Sequence, residues 1–205
     1  GRKISDQNIF RIRNQEIYGL NGLKEKYLNK DGKQKNVDHY PRGIQKMMRV
    51  LFKSDYSILT ENNHVEIFIS GQEKMNRLVA DIYAATDSVH VQYYIFTDDE
   101  VGMRVVDALI DRAEAGLEVK LMADAVGSRL LSKDSVKRME EAGVQFESFF
   151  SKSPFFIFNF RLNWRNHRKI VVIDGLVGYV GGFNVAKEYI GRGPLGYWRD
   201  THFRI

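Results

Sequence analysis

His167, Lys169 and Asp174 stand in H-x-K-x-x-x-x-D spacing inside the stretch 166–184, NHRKIVVIDGLVGYVGGFN, which closes on Gly181-Gly182-Phe183-Asn184. An extended strand projects residues i and i+2 from one face, so His167 and Lys169 are expected side by side while Arg168 points away. Neutral imidazole carries a lone pair that attacks phosphorus directly, and near pH 7 a good fraction of it is unprotonated. A lysine beside it and the side-chain amide of Asn184 suit the holding of phosphoryl oxygens as charge builds on them. Gly181 and Gly182 allow a close backbone approach that a Cβ would block. Asp174 lies seven positions after His167, an odd offset that puts it on the opposite face or in the hairpin turn. It therefore reads as a structural residue that bonds turn amides.

Alternating elements must position this group. From residue 65 the chain reads as a strand over 65–69, a helix over 73–85 with Met75, Leu78, Val79 and Ile82 at helical spacing, and a strand over 89–96. Asp98-Asp99 caps a helix to about residue 115, and a strand over 117–123 follows Gly116. A helix over 134–142, a short strand over 144–149, a hairpin of 170–173 with 177–180, and a last strand over 197–205 complete the series. The expected fold class is α/β, with a mixed, largely parallel β-sheet flanked by helices. Residues 1–60 hold turn-prone clusters and one helical pattern over 43–54, with Ile44, Met47, Met48, Val50 and Leu51 on its apolar face.

The net charge of +5 is unevenly distributed: residues 1–60 carry 13 Lys/Arg against 6 Asp/Glu, residues 61–205 18 against 20. The division expected is thus a basic arm or linker over 1–60 and a domain over 61–205. A basic arm suits an anionic partner, such as an acidic membrane surface or nucleic acid. Zero cysteines exclude a disulfide framework and a thiolate metal site. No apolar run approaches the roughly 18–20 residues of a membrane span. The opening GRKISD reads as an internal boundary, and the last strand as one at which a longer chain is cut. The run 151–164, SKSPFFIFNFRLNW, mixes Phe with Arg, and residues 151–169 hold five basic and no acidic side chains. That mixture suits a membrane interface, base stacking or a buried strand.

The full pattern H-x-K-x4-D-x6-G-G-x-N resembles the H-K-D motif of the phospholipase D superfamily at every position. The segment 166–205, with YYIFTDDEVG and LMADAVGS before it, resembles the first motif half of bacterial cardiolipin synthases. The resemblance implies a catalytic set of His167, Lys169, Asp174 and Asp200, with His167 as phosphohistidine nucleophile or acid/base partner and Asp200 orienting it. It implies substrate binding by Asn184, Gly181, Gly182 and Arg165, with no metal and no cofactor. His39, His64, His90 and His202 read as scattered and structural.

Members of that family carry two such motifs after membrane-spanning segments, and this chain has one motif. The resemblance therefore implies an N-terminal catalytic half, with residues 1–60 following a missing membrane segment. Its partners would be phosphatidylglycerol at a membrane surface and either a second H-K-D half or another copy of the chain, with no nucleic acid. The reaction implied is phosphatidyl transfer giving cardiolipin and glycerol, at the cell membrane with the domain on its cytoplasmic side. Two other readings stand beside it: a single-motif nuclease or phosphodiesterase acting as a homodimer, and a membrane-docking module without turnover.

Overall fold

The computed structural model describes residues 37–55, 57–149, 165–194 and 196–205, together with Glu25, Tyr27, Leu28 and Lys35. The chain divides into two compact units, Gly1–Asn63 and His64–Ile205. The Phe-rich run 151–164 lies outside the described residues, as does most of the basic arm. In the first unit, helix α1 (Arg42–Asp55) starts just after Pro41, where a missing N–H costs the helix nothing. Of the apolar face expected there, Met48 is buried, while Ile44, Met47, Val50 and Leu51 are exposed.

The second unit is built on one seven-stranded sheet. Its strands are β1 (Glu66–Phe68), β2 (Ser88–Tyr93), β3 (Glu118–Asp124), β4 (Gln145–Phe149), β5 (Ile170–Ile173), β6 (Val177–Gly181) and β7 (His202–Arg204). They lie in the order β1-β7-β6-β5-β2-β3-β4. Three helices, α2 (Gly71–Tyr83), α3 (Glu100–Glu114) and α4 (Lys133–Glu141), alternate with the early strands. Each begins where its sequence supplies a cap. Ser70 Oγ accepts from the Glu73 N–H, Asp99 from Val101 and Gly102, and Ser132 from Ser135. Met75, Leu78, Val79 and Ile82 of α2 pack inward, as their spacing predicts, and so does Lys74. Along β2, Val89, Val91 and Tyr93 are buried while Ser88, His90 and Gln92 are half-exposed, the period-two pattern of a strand with one covered face.

The sheet is mixed and helix-flanked, as expected, but its balance is not largely parallel. Only β2–β3 and β3–β4 pair in parallel, each across a helical crossover. The β1–β7, β7–β6, β6–β5 and β5–β2 ladders are antiparallel. The alternation of strand and helix signals connections, not neighbours: α2 links β1 to β2, yet β1 lies at the far edge beside β7. The last strand is also shorter than its sequence suggests, and 197–201 approaches it outside the ladder.

These strand directions gather one end of the sheet. The C-terminal ends of β2, β3, β4 and β6 meet there with the N-terminal ends of β5 and β7. Residues 94, 124, 165–169, 181–184 and 200–202 therefore share a neighbourhood, although up to 108 positions separate them. Asp174 closes β5 at the opposite end.

Candidate active site

His167 and Lys169 do sit together, but on an extended lead-in to β5 rather than within a strand, which begins at Ile170. The lead-in is anchored by Asn166, whose N–H donates to Asp124 Oδ2 at 3.3 Å and whose Oδ1 accepts from Arg168 N–H at 3.4 Å. Lys169 is buried, and its Nζ lies 3.2 Å from both ring nitrogens of His167 and 2.8 Å from the His167 carbonyl oxygen. The His167 ring stands against Tyr94, with centroids 4.6 Å apart, and the Lys169 ammonium sits 5.3 Å from the same Tyr94 ring. Tyr94 is braced in turn. Ser128 Oγ donates to its carbonyl at 3.1 Å and accepts from Phe96 N–H at 3.0 Å, and a Cβ on Gly127 would stand 2.2 Å from the same carbonyl oxygen.

The electrostatics favour a neutral imidazole. Burial pushes the His167 pKa below 6.5, the Lys169 charge pushes it further, and the Asp124 carboxylate opposes both. Burial likewise lowers Lys169, with Asp200 pulling the other way. Asp124 is itself buried at the end of β3, where its Oδ1 accepts from the N–H groups of Val126 and Gly127, each at 3.0 Å.

The double glycine has a specific steric role. A Cβ on Gly182 would stand 2.0–2.3 Å from the Asp200 carboxylate, and one on Gly181 would stand 2.5 Å from His202 Cα. Both positions admit the 200–202 segment directly against the end of β6. Asp200 is thereby held beside Lys169, with its Oδ1 accepting from Thr201 N–H at 2.7 Å. The orienting hydrogen bond that Asp200 would accept from His167 is not formed, and the carboxylate acts on Lys169 through its charge. Asn184 is buried, its Oδ1 accepting from Ile95 N–H at 3.0 Å and its Nδ2 donating to Tyr189 Oη at 2.6 Å. The second amide N–H of Asn184 takes no part in these two bonds. Arg165 stands half-exposed at the same end.

Asp174 is remote from this group, so its place in the catalytic set implied by the motif is corrected. The β5–β2 register sets Ile170 against Gln92 and Ile173 against Val89, which carries Asp174 to the far end. There it accepts from the N–H groups of Thr86, Asp87 and Ser88 and from the Thr86 hydroxyl, at 2.9–3.2 Å. It is structural, as its odd offset indicated, though the amides belong to the α2–β2 turn and not to its own. His202, read as structural, lies fully buried close enough to the site for the Lys169 charge to act on it. Tyr94, Asp124 and Ser128 went unread as site residues, since each comes from a strand end distant in sequence. Among the described residues no three His, Cys, Asp or Glu side chains gather to hold a metal ion, and no helix is long and apolar enough to cross a membrane.

A family model described as "Cardiolipin synthase, PLD-like domain" matches residues 78–192. A cardiolipin synthase of Listeria innocua is 43% identical over 210 residues, covering 100% of this chain and 43% of that protein. The major cardiolipin synthase ClsA of Bacillus subtilis is 40% identical over 209 residues, again covering 100% of this chain and 43% of that protein. The chain thus spans under half the length of these curated relatives. Among solved structures, the phosphatidylserine synthase of Haemophilus influenzae superposes with TM-score 0.53 at 17% identity, over 69% of this chain and 32% of that one. Nuc, a phospholipase D family member from Salmonella typhimurium, does so with TM-score 0.50 at 20% identity, over 69% of this chain and 82% of that one. At such identities the likeness is one of fold.

Proposed function

The chain belongs to the phospholipase D-like domain family of cardiolipin synthases, and from that premise we propose that it is the first catalytic half of such an enzyme. It transfers a phosphatidyl group from one phosphatidylglycerol to another at a membrane surface, giving cardiolipin and glycerol. The observation that carries this reading is the placement of the His167 imidazole between the Tyr94 ring and the buried Lys169 amine, where burial and the lysine charge hold its pKa below 6.5.

In the free site the Lys169 ammonium rests against the imidazole and donates to the His167 carbonyl. An incoming phosphodiester oxygen accepts from the lysine, which places positive charge where the pentacoordinate oxygens gain electron density while the imidazole lone pair attacks phosphorus. The remaining N–H of Asn184 is the second donor to those oxygens. As the nitrogen–phosphorus bond forms, the bond from phosphorus to the departing glycerol oxygen breaks. That oxygen takes a proton from an imidazolium on the far side of phosphorus, the place of a second motif histidine. The acceptor's hydroxyl then attacks phosphorus, gives its proton to that second imidazole, and releases His167 unprotonated. Asp200 maintains the charge of Lys169 throughout. The second imidazole belongs to a second H-K-D half or to another copy of this chain, and the domain works on the cytoplasmic side of the cell membrane.

Trapping tests this reading. The chain, assembled with a second H-K-D half and quenched during turnover of phosphorus-labelled phosphatidylglycerol, is expected to retain label that survives alkali and is released by acid, the behaviour of a nitrogen–phosphorus bond. His167→Ala is expected to abolish it. Label persisting in that variant overturns the reading, while oligonucleotide cleavage with no lipid labelling points to the nuclease.

A further inference from the structure

Behind Lys169 lies a buried group that the transfer chemistry leaves unused. Lys74, on the inward face of α2, has no exposed surface. Its ammonium has the Tyr93 hydroxyl at 2.6 Å, the Met75 sulfur at 3.7 Å and the Tyr93 ring centroid at 4.9 Å. No carboxylate pairs with it among the described residues. His202 is equally buried, its ring between those of Tyr179 and Phe183, with centroids 6.3 and 6.2 Å away. Neither of its ring nitrogens has a hydrogen-bond partner. A core tolerates an unpaired charge or an unmatched polar group reluctantly, and one of each near Lys169 calls for a reason.

Their charges supply one. Burial, then Lys74, then Lys169 push the His202 pKa down to about 3, and burial lowers Lys74 to about 7. Two lysines thus bear on one neutral imidazole. The other groups around Lys74 do not balance it. Tyr93 on β2 and Tyr179 on β6 are held neutral by burial, which pushes both phenols well above their usual range. The nearby Asp81 carboxylate is taken by Tyr179 and Arg204, and the Asp200 carboxylate acts on Lys169. Among the described residues no carboxylate balances Lys74, and the reading given above places an anion at Lys169.

We propose that Lys74 and His202 are positioning residues of the phosphate site, a buried pair that takes up a proton when a phosphodiester anion binds at Lys169. The proposal rests on the phosphate-site reading given above. Neither residue touches the substrate. An anion at Lys169 lowers the cost of a second buried cation, so the proton affinity of Lys74 rises on binding, with His202 as the polarisable ring between the two amines. A group whose pKa rises on binding takes up protons between its free and bound values. Diester affinity is therefore highest below pH 7 and falls as pH climbs through that window.

Calorimetry with glycerophosphoglycerol, a soluble diester that does not itself titrate near neutrality, tests the linkage. At pH 7.5, buffers of different ionisation heat are expected to reveal net proton uptake by the wild-type chain. The uptake should remain in His167→Ala, which removes the other titrating imidazole, and disappear in Lys74→Met. Methionine fits the apolar setting, so Lys74→Met should fold, bind the diester about fivefold more weakly near pH 7, and lose the steep pH dependence. A second measurement needs no ligand: the Lys74 side-chain resonance is expected to titrate near 7 in the free protein. Binding without proton uptake, uptake that persists in Lys74→Met, or a free Lys74 that titrates at its ordinary value overturns the proposal. Absence of any diester binding by the wild type overturns the phosphate-site reading as well, and so is distinguishable from failure of the proton linkage alone.

Discussion

A nucleophilic imidazole must keep its lone pair in a site built to attract anions, and anions favour the protonated ring. At His167 burial and the Lys169 ammonium oppose protonation, while Asp124 limits how far they succeed. Because these influences lower the folded pKa, the acid limb of kcat/KM for phosphatidyl transfer is expected below pH 6.5. Asp124→Asn keeps an oxygen for the Val126 and Gly127 amides but removes the charge, so the acid limb should move lower still. A pH–rate profile checks both, and an upward shift in the variant would contradict the assignment. Gly182→Ala tests the seat of Asp200. Its methyl group would stand 2.0–2.3 Å from that carboxylate, so Asp200 must leave Lys169, and transfer should fall by about tenfold or more while the melting temperature changes by only a few degrees. The motif spacing made His167, Lys169 and the glycines legible in the sequence. Tyr94, Asp124 and His202 were not, because their roles depend on which strand ends meet in space, and spacing along the chain carries no record of that.

Strand β5 acts as a short rod with chemistry before one end and anchorage after the other. Asp174 adopts a left-handed backbone (φ 53°) and ties the hairpin to the start of β2 through three amides and a hydroxyl. That tie fixes the β5–β2 register and with it the height of His167 above Tyr94. The bonds from Ser88, then from Thr86 and Asp87, lower the Asp174 pKa from 3.8 to about 2. A depressed carboxylate contributes stability that is full above its unfolded value and is lost as pH falls from 3.8 through about 2. Asp174→Asn tolerates the same backbone and keeps one acceptor, yet should cost about 1–2 kcal/mol at pH 7. Urea unfolding across pH 3–7 checks this, since the gap between the two proteins should narrow below 3.8. A gap independent of pH would mean that the charge is not what is lost. The helices were readable from Ser70, Asp99 and Ser132 with the periodic residues after them, since caps and faces are local properties. The pairing of β1 with β7 was not, because two strands of three residues carry too little pattern to identify a partner more than 130 positions away.

At the scale of the whole molecule the decisive fact is that a displacement at phosphorus has two faces, and one end of one sheet offers a single motif imidazole. In the proposed transfer His167 attacks, but a proton for the departing glycerol must come from the opposite side, in line with the bond that breaks. The ring held against Tyr94 cannot reach both faces during one step. A preparation of this chain that is strictly monomeric is therefore expected to show almost no phosphatidyl transfer on phosphatidylglycerol vesicles. Activity should rise with the square of chain concentration if two copies pair their His167 residues, and linearly with an added second H-K-D half if that is the native partner. Mixing His167→Ala chains with wild type separates the two cases: in a homodimer the inactive variant poisons the active copy, whereas with a dedicated second half it merely competes for it. Sedimentation measured in parallel with the vesicle assay fixes the oligomeric state at each concentration. Robust turnover by the monomer would require one histidine to serve as both nucleophile and proton donor, and would overturn the two-sided mechanism itself.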